Sequence, residues 1–417
     1  MKFIGVAAGV LLAAAQVAGQ SNPATLLETA KAQIIAELEK LTKYTCVQTV
    51  NRSRYEFFYN VASKCVMDAP PGKPPRLLSW MDRYKLDVTI SNKAEIFSWA
   101  GARQFESEDA QEIVGGGLTG TGDFGQFLVT IFSKSGPKIT YLRMEQIDGR
   151  QLAAYRFEVP QGVSTYEIRV GDNAAGGFVD YEGKLWLDPK NASLVRMSIE
   201  VPNPPAKTYV CRLDTTIDYQ HVKISESPVL LPELTTLRLW DSDGTRFENR
   251  STYSSCKTFG SESVFKPDVE ETAQAAPVNP VKAPPLEAGL SLKIRLRSTI
   301  DGETSFAGDA VTAELAEPLI AKNKKVLVPT GALVQGRLVR LEQHFLPAEY
   351  WSIGLRFQSI VINGTEVPLK LEVVTRSNAE KILNGTDERR QNIGVFLIRR
   401  PKLQIDRAFV SDWKTLK

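Results

Sequence analysis

Hydrophobic positions recur at helical spacing near the start of the chain and at a spacing of two after it. Leu27, Ala30, Ile34, Leu38 and Leu41 stand three or four residues apart, which predicts one amphipathic helix over about residues 23–42. Asn22 and Pro23 supply its N-cap and its first-turn proline. The stripe is too short for a coiled-coil seam and reads as a core face.

Beyond it, Leu86, Val88 and Ile90 alternate with Asp87 and Thr89, and Tyr155, Phe157 and Val159 with Arg156 and Glu158. Val179, Tyr181, Leu185 and Leu187 share a face, as do Val195, Met197, Ile199 and Val201. Leu237 and Leu239 flank Arg238. Such alternation predicts half-buried antiparallel strands, separated by turns at Asp148-Gly149, Asp188-Pro189-Lys190-Asn191 and Asp243-Gly244. Two short helices are expected between strands, Ser107–Val114 and Phe124–Phe132, the second capped by Asp123 and apolar through Phe124, Phe127, Leu128, Ile131 and Phe132. The result is a mainly β chain whose first domain (residues 20–259) is α+β, a large antiparallel sheet with helices on one face.

Residues 260–288 are rich in Pro, Ala and Glu and lack periodicity, so they read as a linker. Alternation resumes at Ile294 and Leu296. Short strands follow at Val311–Leu315, Lys325–Val328, Leu333–Leu341, Tyr350–Ser359 and Val367–Val374, with a hairpin turn at Asn363-Gly364. Residues 289–417 therefore form a separate, small all-β barrel.

The first 20 residues change the picture of compartment. Lys2, the apolar run Phe3–Ala15 and the small residues Val17-Ala18-Gly19 make residues 1–19 a secretory signal peptide. The whole apolar stretch Phe3–Gly19, 17 residues at most, is short for a membrane span, and no second stretch of 18 apolar residues follows. Export makes Cys46, Cys65, Cys211 and Cys256 disulfide partners; of three possible pairings, the sequence-local one (Cys46–Cys65, Cys211–Cys256) is expected. Zinc binding would need CxxC-like spacing or neighbouring histidines, and neither is present.

Composition narrows the function classes. With 417 residues, 43% hydrophobic and 24% charged, the chain is neither disordered, collagen-like nor a multi-span membrane protein. A net charge of +3 is too small for a dedicated nucleic-acid binder. It is unevenly spread: from residue 286 onward there are 20 basic and 15 acidic residues, and the preceding part is mildly acidic. A basic cluster (Arg389, Arg390, Arg399, Arg400, Lys402, Arg407) reads first as a solvated face.

Candidate chemistry is sparse. GGGLTGTGDFG (residues 115–125) matches GxGxxG twice, but no strand precedes it and no βαβ unit follows, so it reads as a loop joining two helices. His221 and His344, the only histidines, fall in different domains, and no HExxH, GxSxG or Cys–His arrangement accompanies them. Asp241-Ser-Asp243-Gly-Thr lacks the later ligands of a calcium loop. Asp180 and Glu182 share a solvent face, and nothing selects them as a glycosidase pair. Sequons stand at Asn51, Asn191, Asn249, Asn363 and Asn384.

The hairpin Gly183–Val201, through Trp186, Asp188, Pro189 and Ser193, resembles the recurrent W-x-D-P-x-(T/S) hairpin of the outer-membrane lipoprotein-carrier superfamily. The resemblance covers roughly residues 23–259 and implies an antiparallel half-barrel with helices plugging its concavity. Leu286-Glu-Ala-Gly289, Ile300-Asp301, Ala307-Gly308-Asp309 and Val328-Pro329-Thr-Gly331 resemble the periplasmic barrel of conjugative-transfer (type IV secretion) channel proteins, with Leu403–Trp413 as a closing strand. That family's pore-forming helical antenna has no counterpart here, so pore formation does not carry over.

The carrier resemblance implies a non-enzymatic protein of the Gram-negative periplasm or outer-membrane face that shelters an acyl chain or lipidated partner. The implied cavity lining is Val179, Tyr181, Val195, Met197 and Leu237, with Phe124, Phe127, Leu128 and Ile131 on the lid; the same residues would equally fill an occluded core. No cofactor, catalytic residue, metal or nucleic-acid partner is expected. The alternatives are an envelope interaction or sensor module binding a protein, and a hydrolase of glycan or peptidoglycan, which would need convergent carboxylates.

Overall fold

The computed structural model describes residues 22–416 except 43, 62, 92–93, 103–104, 108, 171–174, 225–226, 259–285, 322 and 375–391. The signal peptide, nearly all of the linker, Arg389, Arg390 and Asn384 lie outside the described residues.

Helix α1 (Pro23–Leu41) starts where Asn22 Oδ1 accepts from Ala24 N at 2.9 Å, and it buries Leu26, Ala30, Ile34, Leu38 and Leu41. Leu26 takes the place in the stripe that the spacing gives to Leu27, which is only partly buried. The chain continues through β1 (Tyr44–Glu56), β2 (Leu77–Ser91), β3 (Ala94–Trp99), α2 (Ala110–Val114), α3 (Gln126–Ser133), β4 (Lys138–Ile147) and β5 (Arg150–Val159). Then come β6 (Glu167–Val170), β7 (Ala175–Phe178), β8 (Tyr181–Leu187), β9 (Leu194–Glu200), β10 (Val210–Ile224), β11 (Ser227–Asp241) and β12 (Arg246–Thr258). Hydrogen bonding orders these as β4-β5-β8-β9-β10-β11-β12-β1-β2-β3, every neighbour antiparallel, with β6 and β7 as a separate hairpin. The mainly β class follows from the period-two pattern.

The placement of β1 decides the disulfides. It sits between β12 and β2, so its first strand residues lie beside the last ones of β12. Cys46 is bonded to Cys256, and Cys65 to Cys211, with Cα–Cα separations of 4.0 and 5.4 Å. This corrects the sequence-local pairing. A strand advances about 3.3 Å per residue, so β1 carries the chain from Cys46 to the far end of the sheet before Cys65 is reached. There Cys65 N donates to Ser242 O at 3.1 Å, next to the start of β10 and Cys211.

The hairpin Gly183–Val201 is a built turn. Asp188 N donates to Ser193 O at 2.9 Å, Lys190 N to Asp188 Oδ1 at 2.9 Å, and Trp186 Nε1 to Glu145 Oε2 at 2.8 Å. The register slips by one between Trp186 and Leu187, which makes Val195 the extra residue of a bulge.

The C-terminal part comprises β13 (Ser291–Leu296), β14 (Ile300–Asp301), β15 (Ala310–Leu315), β16 (Leu319–Ile320), β17 (Val326–Val328), β18 (Leu333–His344), β19 (Tyr350–Ile362), β20 (Thr365–Pro368), β21 (Leu371–Val373), β22 (Gly394–Ile398), β23 (Gln404–Ile405) and β24 (Val410–Thr415). Its main path runs β22-β19-β18-β15-β13-β24-β21. The expected closing strand Leu403–Trp413 is split between β23 and β24, and β24 does pair with β13, the first strand of this part.

Buried apolar side chains form two large clusters, one drawn almost wholly from residues 26–253 and one from residues 290–413. The two are tied through backbone and through an arginine side chain. Strand β18 pairs with β2 at Asp82, Met81 and Trp80, Lys85 N donates to Ala307 O at 2.8 Å, and Arg337 Nη1 donates to Ala100 O at 2.6 Å and to Gly308 O.

Candidate functional site

Helices α1 and α3 and the loop between α2 and α3 cover the face of the sheet that carries the alternating apolar residues. Of the residues expected to line a cavity, Phe124, Phe127, Leu128, Ile131, Val179, Tyr181, Met197 and Leu237 all lie in one buried cluster. Val195 does not join them. The bulge turns it to a small separate cluster with Leu152, Ala154 and Trp186, and Leu194 takes the inward place. Phe127 meets Tyr166 edge-on at 5.1 Å and Tyr181 at 5.8 Å, so the helix is locked into an aromatic group. The interior is packed, and a small hollow of about 20 Å3 lies beneath the Gly-rich loop.

That void has a polar side. The inward face is divided: strands β5, β8 and β9 present Tyr155, Phe157, Leu185, Met197 and Ile199, while β1, β10, β11 and β12 interleave Gln48, Thr215, Thr235, Asn249, Ser251 and Tyr253 with their apolar residues. Asp123, Thr235, Asn249, Thr215 and Ser251 line the void together with Val50, Tyr84, Phe127, Tyr166 and Leu237. Gln48 Nε2 donates to Tyr253 OH at 2.8 Å, and Asn249 Nδ2 donates to Leu118 O at 2.8 Å. Asn249 Oδ1 is buried without a hydrogen-bond partner, and the Thr235 and Tyr253 hydroxyls face the Asp123 carboxyl.

Asp123 was expected to cap α3. Instead α3 begins after Gly125 without a side-chain cap, and Asp123 is turned inward, 5% exposed, where the void and Tyr253 meet it. Glu95 is the second interior carboxyl. It accepts from Gly122 N at 2.7 Å and Gly125 N at 3.2 Å, which fastens the Gly-rich loop to β3. Burial raises both carboxyls above their ordinary range, and the nearby Asp123 charge raises Glu95 further. Tyr253 and Tyr219, buried beside them, are pushed up by burial and by the same two acids.

The loop itself is shaped by glycine. Gly122 has φ +102°, and a Cβ there would stand 3.0 Å from the Phe127 ring. A Cβ on Gly120 would stand 2.7 Å from Leu237 Cδ2. The loop therefore lies directly on the core, and it does join two helices as its context predicts. Beneath its start, Arg52 Nε and Nη2 grip Asp82 at 2.8 and 2.5 Å, with the guanidinium 5.4 Å from the Trp80 ring centre and 5.0 Å from that of Tyr84. A larger hollow of about 450 Å3 opens on the other side of the loop, lined by Glu95, Asp109, Glu112, Glu167 and Arg169 and sharing Thr121, Phe127 and Tyr166 with the void.

The remaining candidates stay apart. His221 is exposed on β10, while His344, at the end of β18, stacks on Tyr350 at 4.3 Å and stands 3.3 Å from Glu342. Asp241–Thr245 is a hydrogen-bonded turn, with Asp241 N donating to Thr245 O at 2.9 Å. Asn249, one of the sequons, is 3% exposed and bonded inward, so the folded chain cannot present it for glycosylation. Among the described residues no group of three or more His, Cys, Asp or Glu could hold a metal ion. Among the same residues no helix is long and apolar enough to cross a membrane.

Glu95 and Gln48 were missed by sequence reasoning although a signal existed. Glu95 is in phase with Phe97 and Trp99, and Gln48 and Arg52 with Cys46 and Val50. A polar residue in phase with an apolar face marks a buried polar group.

The fold and site define a mainly antiparallel β protein with a helical cover over a partly polar interior. No family model matches the sequence, and no curated protein does. Among solved structures, a putative outer membrane lipoprotein-sorting protein domain from Vibrio parahaemolyticus is similar at 9% identity, over 56% of this chain and 95% of that one, with a TM-score of 0.25. A DUF1329 family protein from Desulfovibrio piger shares 10% identity over 57% of this chain and 94% of its own, TM-score 0.26. A LolA superfamily protein from Nitrosomonas europaea shares 12% over 55% and 93%, TM-score 0.23. At these scores the likenesses carry no argument about this chain's ligand.

Proposed function

We propose that the chain is a non-enzymatic binding protein of the bacterial cell envelope, exported by its N-terminal signal, whose half-barrel (residues 20–259) takes a lipidated or apolar ligand beneath α3 and the Gly-rich loop. One observation carries this reading: the inward face of the sheet is part apolar and part polar, and its cover is a short helix hung on a glycine loop. Packing of the cover against the sheet is then the ligand-free state, and a ligand replaces the contacts of α3. Each Å2 of apolar ligand surface taken from water contributes about 25 cal/mol, and the helix that yields its place offsets part of it. The C-terminal barrel (residues 289–417) is a second domain of the same protein.

The test is native mass spectrometry and lipid extraction of the purified protein, followed by displacement of a fluorescent fatty acid. A co-purifying amphiphile, or saturable displacement, is the expected result. Absence of both would defeat the reading.

A further inference from the structure

The hairpin of β16 and β17 is buried at its root and open at its tip. Leu319 and Val328 pair across the root and belong to the apolar cluster of the C-terminal part. Gly331 N donates to Leu315 O at 2.9 Å and Leu315 N to Ala332 O at 3.0 Å, which fastens the hairpin to the barrel wall. Beyond the root, Ile320 pairs with Val326, and Leu327 is the extra residue where the register shifts. Ile320, Val326 and Leu327 are 49%, 53% and 39% exposed. The turn above them is set by backbone: Ala321 N donates to Lys325 O at 2.8 Å, Lys324 N to Ala321 O at 2.9 Å, and Lys325 N to Asn323 Oδ1 at 3.1 Å. The tip is therefore built to a fixed shape, and it holds three neighbouring apolar side chains in water. An apolar patch rimmed by polar residues marks an interaction site.

Charge and shape identify the partner. Lys324 and Lys325 are exposed at the turn, and among the described residues neither has an ion-pair partner. The sequence has no Asp or Glu between Glu317 and Glu342, and Glu317 is paired with Lys293. Apolar side chains beside unmatched lysines suit the boundary layer of an anionic bilayer, where lysine stems lie along apolar surface and their ammonium groups reach the phosphates. A two-strand tip offers a protein partner far less than the roughly 800 Å2 of a standard interface, whereas a bilayer takes in a convex tip of any outline. Position agrees. The hairpin leads into the start of β18, and the far end of that strand, Glu342–His344, pairs with β2. At about 3.3 Å per residue, β18 sets the hairpin roughly 30 Å from this seam with the half-barrel.

We propose that the β16–β17 hairpin docks the C-terminal barrel on an anionic phospholipid bilayer, with Ile320, Val326 and Leu327 in the outer acyl layer and Lys324 and Lys325 on lipid phosphates. The assignment does not depend on the ligand proposed for the half-barrel. Three apolar side chains and two lysines give reversible attachment rather than a permanent anchor. Each lysine at an anionic surface strengthens binding about fivefold, and added salt screens that gain.

The experiment is co-sedimentation of the mature chain (residues 20–417) with vesicles of phosphatidylcholine alone and of phosphatidylcholine mixed with phosphatidylglycerol. At low salt the mixed vesicles are expected to bind about tenfold more tightly or better, and added salt is expected to erase the difference. Val326→Asp/Leu327→Asp is expected to weaken binding to mixed vesicles by about tenfold or more. Lys324→Gln/Lys325→Gln is expected to bring it close to that of phosphatidylcholine alone. Leu142→Asp, on β4 of the half-barrel and as exposed as Leu327, is expected to change little. A thermal melt checks that each surface variant is folded. An environment-sensitive dye on Leu327→Cys should shift to the blue with mixed vesicles, and the same dye on Leu142→Cys should not. Equal binding to both kinds of vesicle, or to neither, would overturn the proposal. Undiminished binding by the folded hairpin variants would overturn it too, by moving the membrane contact to another surface. The fatty-acid displacement decides the half-barrel's ligand separately from all of these outcomes.

Discussion

Glu95 holds the loop through two backbone N–H groups, and burial raises its carboxyl well above the ordinary 4.5. The folded state thus keeps a proton that the unfolded chain gives up. Its contribution is complete below the ordinary carboxylate range and is lost as pH rises. Stability is therefore expected to fall from about pH 5 to about pH 8 with a slope approaching about 1.4 kcal/mol per pH unit; urea melts across that range check it, and Glu95→Gln should flatten the slope. Arg52 offers a contrasting case. Burial alone would lower its pKa, yet Asp82 holds it above its ordinary value, while burial keeps Asp82 raised despite Arg52. Removing the guanidinium in Arg52→Leu leaves a carboxyl buried without its partner. A loss of about 3–5 kcal/mol is expected by chemical denaturation, and the double variant Arg52→Leu/Asp82→Leu should recover much of it.

The Gly-rich loop and the disulfides belong to the scale of elements. Gly122→Ala forces a side chain into φ +102° and against the Phe127 ring. A loss of about 1–3 kcal/mol is expected in thermal or urea melts. Non-reducing peptide mapping should recover Cys46 joined to Cys256 and Cys65 to Cys211. Cys65→Ser/Cys211→Ser should cost about 3–5 kcal/mol, because the loop it opens is long. Elements were largely legible in the sequence. The stripe of α1, the alternation of β2, β5 and β9 and the turns at Asp188 and Asp243 each need only local spacing. Pairing was not legible, since what sets Cys46 beside Cys256 is the insertion of β1 between β12 and β2, a contact across most of the first part. A bulge hid the direction of Val195, because one extra residue reverses which side chains face inward. Asp123 deceived for another reason: a residue type that caps helices on the surface is here an interior acid.

At the scale of the whole molecule, two apolar clusters are joined by a short strand pairing and by a few polar bonds, with Arg337 reaching both Ala100 O and Gly308 O. Burial lowers the Arg337 pKa, and Glu106, Asp87 and Asp309 counter it. Arg337→Met is expected to weaken the seam by about 2–3 kcal/mol and to split one calorimetric transition into two. The sheet order bears on how the chain comes to be folded at all. The first strand is bonded to the twelfth, and its cysteine to a partner 210 residues later. During synthesis from the N-terminus, residues 44–56 emerge long before the strand they need, and distant pairing of this kind is slow to form. A nascent chain released before Arg246 would carry Cys46 without its native partner, so β1 gains its second neighbour in the sheet only once β12 has been made.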